Sequence, residues 1–170
     1  MLIGIMSDTH DNLPAIRKAV DLFNKSGVDL VVHAGDYVAP FTAGEFSRLK
    51  APLKGVFGNN DGERAGLKNV LGIEDEILEL NADGMKMVLI HGTDERIINA
   101  LARSHLYDIL IRGHTHRYEI RECGRTILIN PGEVCGYVTG VKSVALLDTK
   151  KREVRIVSID DGTLLGLMSL

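Results

Sequence analysis

Five short blocks of the chain carry oxygen and nitrogen donors: Ser7-Asp8-Thr9-His10, Gly35-Asp36, Gly58-Asn59-Asn60-Asp61, His91-Gly92 and Gly113-His114-Thr115-His116. An apolar run precedes each one, in order Leu2 to Met6, Leu30 to Val32, Leu53 to Phe57, Met87 to Ile90 and Ile109 to Ile111. Four of the six histidines lie in these blocks, and neither Cys123 nor Cys135 does. Any one block alone has a plain structural account, since Gly-Asp makes a turn and Asp-Thr-His caps a helix. Five of them, each at the end of a strand, point instead to a divalent metal site. In open α/β sheets such donors collect outside the carboxyl ends of the strands.

Carboxylates and an amide oxygen mixed with imidazoles suit Mn²⁺, Ni²⁺, Zn²⁺ or Fe, and the absence of thiolates and of an all-oxygen cage excludes other choices. Seven donors (Asp8, His10, Asp36, Asn59, His91, His114 and His116) exceed one tetrahedral ion and match two ions that share a ligand. Asp36, with two oxygens and a central place in chain order, is the expected bridge. A pair of ions roughly 3.5–4 Å apart clamps both oxygens of an in-line displacement at phosphorus and supplies a bridging hydroxide as nucleophile, so a phosphate ester is the expected substrate. His33 reads as a core imidazole and His105 as a solvated helix end. Arg64, Arg112 and Arg117 stand beside ligand blocks and read as surface residues, with phosphate binding the alternative.

The elements that must position these donors alternate. Asn12 caps a helix with Pro14 in its first turn and Ile16, Ala19, Val20 and Phe23 on one face, and Ser26-Gly27 ends it. A strand from about Asp29, a helix over roughly Phe41 to Leu49, a strand from Leu53 and a short helix around Arg64 to Leu71 complete a βαβαβ half with parallel strands. The second half reads as largely antiparallel. Asn81-Ala82-Asp83-Gly84 and Cys123-Gly124 mark hairpins, a helix runs from Asp94 to about His105, and Val144 to Leu147 pairs with Val154 to Ile159. Residues 1–170 form one expected domain of two packed sheets.

With 45% hydrophobic and 25% charged residues, the chain has the composition of a globular domain with a mainly aliphatic core. A net charge of −3 speaks against an extended nucleic-acid surface. No apolar run reaches membrane-spanning length, and the opening segment reads as a strand rather than a signal peptide. Two unpaired cysteines point to a reducing, cytoplasmic setting. The tail (Leu164, Leu165, Leu167 and Met168) covers a core edge or forms a homodimer contact.

Together the five blocks resemble those of the calcineurin-like metallophosphoesterases. The short length and the Asn130-Pro131-Gly132-Glu133 segment resemble the small YfcE-type phosphodiesterase branch. The likeness runs from Ile3 to about Asp148. It implies a four-layer α/β/β/α sandwich of two mixed sheets flanked by helices, with a dinuclear centre, Mn²⁺ foremost, at the strand ends. It also implies that Asp8, His10, Asp36 and His116 hold one ion and Asp36, Asn59, His91 and His114 the other. Asn59, Asn60 and Thr93 become substrate contacts, and Asp36, Asn60 and Asp61 catalytic positions. Asn60 stands where the family usually has a histidine that protonates the leaving group, and Thr93 where the fourth block often has a second histidine. Two rival readings are a non-catalytic interaction scaffold on the same fold and a nuclease, the latter needing a basic face this chain lacks.

Overall fold

The computed structural model describes residues 1–170. One sheet has six strands in the order β11-β10-β9-β1-β2-β3, drawn from β1 (Leu2–Met6), β2 (Leu30–His33), β3 (Leu53–Gly55), β9 (Ser143–Asp148), β10 (Glu153–Ser158) and β11 (Leu164–Ser169). The other has five in the order β4-β5-β6-β8-β7, from β4 (Ile77–Ala82), β5 (Met85–Ile90), β6 (Ile109–Ile111), β7 (Glu119–Cys123) and β8 (Thr126–Asn130). Alternation along β1 sends Ile3 and Ile5 between the sheets, where they meet Val32, Met87, Leu89 and Ile111. Met6 faces the other way, against α1 (Leu13–Ser26) and its neighbours α2 (Ala43–Phe46) and α3 (Arg64–Leu71). Across the second sheet, Val88, Leu110 and Leu128 pack on Ile98 and Ala102 of α4 (Glu95–Ser104). The four layers are therefore helices, sheet, sheet and helix, as the resemblance implied.

Helix ends follow the local chemistry. Asn12 caps α1 by accepting from the Ala15 N–H, and Gly27 closes it in the left-handed region. Asp94 caps α4 and His105 is its exposed left-handed terminus. The β4–β5 turn places Asp83 and Gly84 both at positive φ, the primed geometry that matches strand twist.

Two expectations need correction. The helix expected over Phe41 to Leu49 is only a 3-10 turn, Pro40–Thr42, running into the single turn of α2. Gly44 sits inside it, and the Ser47 hydroxyl takes the Gly44 carbonyl, so the backbone ladder stops. The second half is also less antiparallel than its hairpins suggest. β5, β6 and β8 are mutually parallel, because α4 serves as the crossover between β5 and β6. The apolar tail forms β11 on β10, with Leu165, Met168 and Leu170 against the inter-sheet core.

Candidate metal centre

All seven expected donors follow the carboxyl ends of parallel strands: β1, β2 and β3 in one sheet, β5 and β6 in the other. The loops are laced to one another. Asp8 N–H donates to the Gly35 carbonyl, Thr9 N–H to that of Asp36, and Gly113 N–H to that of His91. Five of the seven donors (Asp8, His10, Asp36, His114 and His116) have positive φ. Non-glycine residues held there cost of order 1–3 kcal/mol each, and such strain gathers where function requires a side chain to be aimed. Gly58 lies so close that a Cβ would sit 2.2 Å from Asp36 Oδ1, so only glycine permits the approach.

The donors converge. Asp36 Oδ2 lies 3.5 Å from His10 Nε2 and 3.3 Å from His91 Nε2. Asp8 Oδ1 lies 3.8 Å from His10 Nε2 and 3.5 Å from His116 Nε2. The His10 and His116 rings stack at 5.1 Å, while His91 and His114 meet edge to face at 5.2 Å. The Asp8, Asp36 and His91 ligand atoms all lie within 4.8 Å of one another.

Hydrogen bonding supplies the test of whether a cation belongs here. Asp8 Oδ1 and His10 Nε2 are buried and have no hydrogen-bond partner, an arrangement that is costly unless something charged satisfies it. His91 Nδ1 lies 2.7 Å from the Ala34 carbonyl, an acceptor only, so Nδ1 carries the proton. Its Nε2 then points a lone pair at Asn59 Oδ1, 2.9 Å away, and at Asp36 Oδ2. Three acceptors facing one point need a proton or a metal ion between them. The electrostatics agree. The Asp36 carboxyl is held far below the usual carboxylate range: burial opposes this, but His91 and the Asn60 amide groups prevail. The His10 imidazole is raised, chiefly by the Asp8 carboxylate that faces it 3.8 Å away and also by Asp36, against the opposing effect of burial. His91 is raised too, burial being outweighed by Asp36. The residues fit a metal centre.

Three further side chains, Glu133, Cys135 and Arg112, surround these donors in roles that the sequence did not assign them. Glu133, fully buried after β8, accepts from His116 Nδ1 at 2.7 Å and fixes Nε2 as that ring's free lone pair. Burial alone would raise its carboxyl, yet bonds from His116, Thr139 and Cys135 hold it at about 2. Cys135 Sγ lies within 4.8 Å of the His10 and His116 nitrogens. Burial pushes that thiol up to about 12, and it donates to Glu133, so it is a neutral neighbour. Arg112, read as a surface residue, is buried: it bonds the Gly92 and Gly113 carbonyls and pairs with Glu95, tying the His91 and His114 loops together. An arginine at a strand end was legible only as a charge, whereas its burial depends on α4 closing over it.

The remaining expected residues have distinct places. Asn60 donates its backbone N–H to Asp36 Oδ1 at 2.8 Å and its amide to Oδ2 at 2.7 Å. Asp61 is buried, and both its oxygens accept backbone N–H groups, from Val38 on one side and from Asp36 and Gly58 on the other. Thr93 is exposed on the rim of a groove that Asn59 also lines. His33 lies fully buried beneath the site, between the Thr9 hydroxyl and the Gly35 N–H, and burial keeps it neutral.

The model of the calcineurin-like phosphoesterase superfamily domain matches residues 1–152. The chain belongs to that superfamily. This phosphoesterase is 43% identical over 166 residues to a phosphodiesterase of Methanocaldococcus jannaschii, covering 94% of this chain and 100% of the relative. The solved structure of an archaeal phosphodiesterase superposes with a TM-score of 0.89 at 43% identity, over 93% of this chain and 99% of that one. YfcE, a phosphoesterase from E. coli, shares the fold with a TM-score of 0.75 at 23% identity, each chain 99% covered. Membership implies divalent metal ions, and the donors described above are the candidates to hold them. No helix of this phosphoesterase is long and apolar enough to cross a membrane.

Proposed function

We propose that this phosphoesterase is a phosphodiesterase with a dinuclear centre. Asp8, His10, Asp36 and His116 hold one ion and Asp36, Asn59, His91 and His114 the other, and Mn²⁺ is the first choice of metal. The observation that carries this reading is the place of Asp36 Oδ2, between one imidazole from each set, His10 and His91. When bound, the ions would supply a nucleophile near neutral pH and neutralise charge on the phosphoryl oxygens. The protein's own residues do the rest. His91 and His116 are locked in one tautomer by Ala34 and Glu133. Asp61 braces the Asp36 and Gly58 loops rather than touching substrate. Asn60 keeps the Asp36 carboxylate in place, and Asn59 and Thr93 face the open side where an ester would enter. A cytoplasmic location accords with the two free thiols.

A carboxamide is a poor acid near neutral pH, so Asn60 cannot replace a protonating histidine. A positioned acid is worth about 10²–10⁴-fold. The enzyme should therefore hydrolyse aryl diesters well and alkyl diesters poorly. Rates of the Mn²⁺-loaded protein on diesters of graded leaving-group pKa test this. A steep fall with rising pKa is expected, and activity on phosphomonoesters alone would overturn the phosphodiesterase reading.

A further inference from the structure

Beside the metal centre lies a groove of about 300 Å³, at the small end of ligand sites. Asn59 and His91, both candidate ligands, line it together with Thr93, so groove and metal centre share residues. Four apolar side chains, Phe57, Ile77, Ile90 and Ile97, line it among polar ones. Ile77 and Ile97 come from different elements, β4 and α4, and are 50% and 48% exposed. Neither belongs to any of the buried hydrophobic clusters. Arg64 also lines the groove, its guanidinium 4.9 Å over the Phe57 ring and paired with Glu76 at 2.6 Å. Two half-exposed isoleucines lining a groove that also includes candidate metal ligands serve no buried cluster, and they suit a ligand with an apolar face.

We propose that this groove is the subsite for one organic substituent of the phosphodiester, and that it selects a flat one, an aryl ring or a nucleobase. The inference rests on the phosphodiesterase reading above. The size admits a ring system rather than a long chain. Isoleucine faces and a guanidinium already held over an aromatic ring favour a planar group. Thr93, Glu76 and Asp94 on the rim offer hydrogen bonds to the polar edge that a base carries and an alkyl group lacks. Phosphorus at the metal centre and a ring in the groove are then adjacent subsites of one substrate.

The test separates groove from reaction. With Zn²⁺-loaded protein, diphenyl phosphate should bind at least about 10-fold tighter than dimethyl phosphate by calorimetry and should shift the Ile77 and Ile97 methyl resonances, since one well-placed apolar contact discriminates 10–200-fold. The double variant Ile77→Ser/Ile97→Ser should lose that preference while keeping its melting temperature, and Ile97→Phe should retain it. In turnover, phenyl p-nitrophenyl phosphate should exceed methyl p-nitrophenyl phosphate in kcat/KM by a similar factor, the leaving group being constant, and the ratio should collapse toward one in the double variant. Equal binding of the two diesters, or a preference the double variant keeps, overturns the proposal. Aryl-selective binding without turnover of either ester leaves the groove standing and overturns the phosphodiesterase reading, whereas turnover without selectivity does the reverse.

Discussion

Glu133→Gln replaces one of the two oxygens on which the loop after β8 depends. Oε1 accepts from the Thr139 N–H at 2.6 Å, the Thr139 hydroxyl at 2.7 Å and the Val138 N–H at 3.2 Å. Oε2 accepts from His116 Nδ1 at 2.7 Å and from Cys135 at 3.1 Å, and shares the Val138 N–H at 3.1 Å. A glutamine has a single carbonyl oxygen, and the Thr139 N–H and hydroxyl, which bond Oε1 alone, claim it. Its NH₂ must then face His116 Nδ1, which can only accept, so the ring proton moves to Nε2. That is the atom aimed at Asp8 Oδ1, 3.5 Å away, where a metal ion belongs. Loss of such a carboxylate–histidine contact typically weakens metal binding about 10–100-fold, or about 1.4–2.8 kcal/mol. Zn²⁺ calorimetry should show one of two binding events weakened by this factor, and imidazole ¹⁵N spectra should show the His116 proton relocated. Unchanged affinity with the proton still on Nδ1 would refute the reasoning.

Metal occupancy should fall as pH drops through the raised pKa values of His10 and His91, beginning above the ordinary 6.5, because ligands bind deprotonated; occupancy that holds to pH 5 would contradict it. In the metal-free protein the sign reverses for stability: the pairing of these imidazoles with Asp8 and Asp36 is fully present below 6.5 and is lost as pH rises through the raised values, so melting temperature should decline over that window. Glu133 contributes stability that is complete above 4.5 and is lost as pH falls toward 2, visible as an acid transition that Glu133→Gln weakens. Truncation after Ile159 removes β11 and uncovers the inter-sheet core that Leu165, Met168 and Leu170 partly cover. At roughly 1–2 kcal/mol for each half-buried side chain, thermal unfolding should occur well below that of the full chain, and an unchanged transition would show that β11 is dispensable.

The donor set was legible because strand periodicity and donor type both appear locally: each block follows its own apolar run. Two packed sheets followed from the same runs, whereas the four layers came from the family resemblance; β1 and β2 are buried along nearly their whole length, which fits cover on both faces. What stayed hidden depends on contacts between distant segments. Glu133 sits 17 residues from His116, and nothing in Asn-Pro-Gly-Glu tells that the loop folds back under that ring. Cys135 lies outside every donor block, yet its N–H reaches the Asp8 carbonyl and carries the thiol to the site. The α2 segment had helical spacing, but its Gly44 and Ser47 favour turns once Phe46 alone is buried. The parallel pairing of β5, β6 and β8 was masked by hairpin signals at either edge of that sheet, which are real but describe only the outer pairs.

The chemistry proposed for this phosphoesterase depends on a pair of ions joined by Asp36. Metal content after reconstitution with Mn²⁺ and extensive dialysis, read with bis(p-nitrophenyl) phosphate hydrolysis on the same samples, tests it most directly. The wild-type chain should retain two ions and hydrolyse the diester. Asp36→Ala should lose retention of both ions together with activity, whereas His10→Ala should weaken mainly one. A single tightly held ion, indifferent to Asp36→Ala, would rule out a dinuclear centre bridged by Asp36.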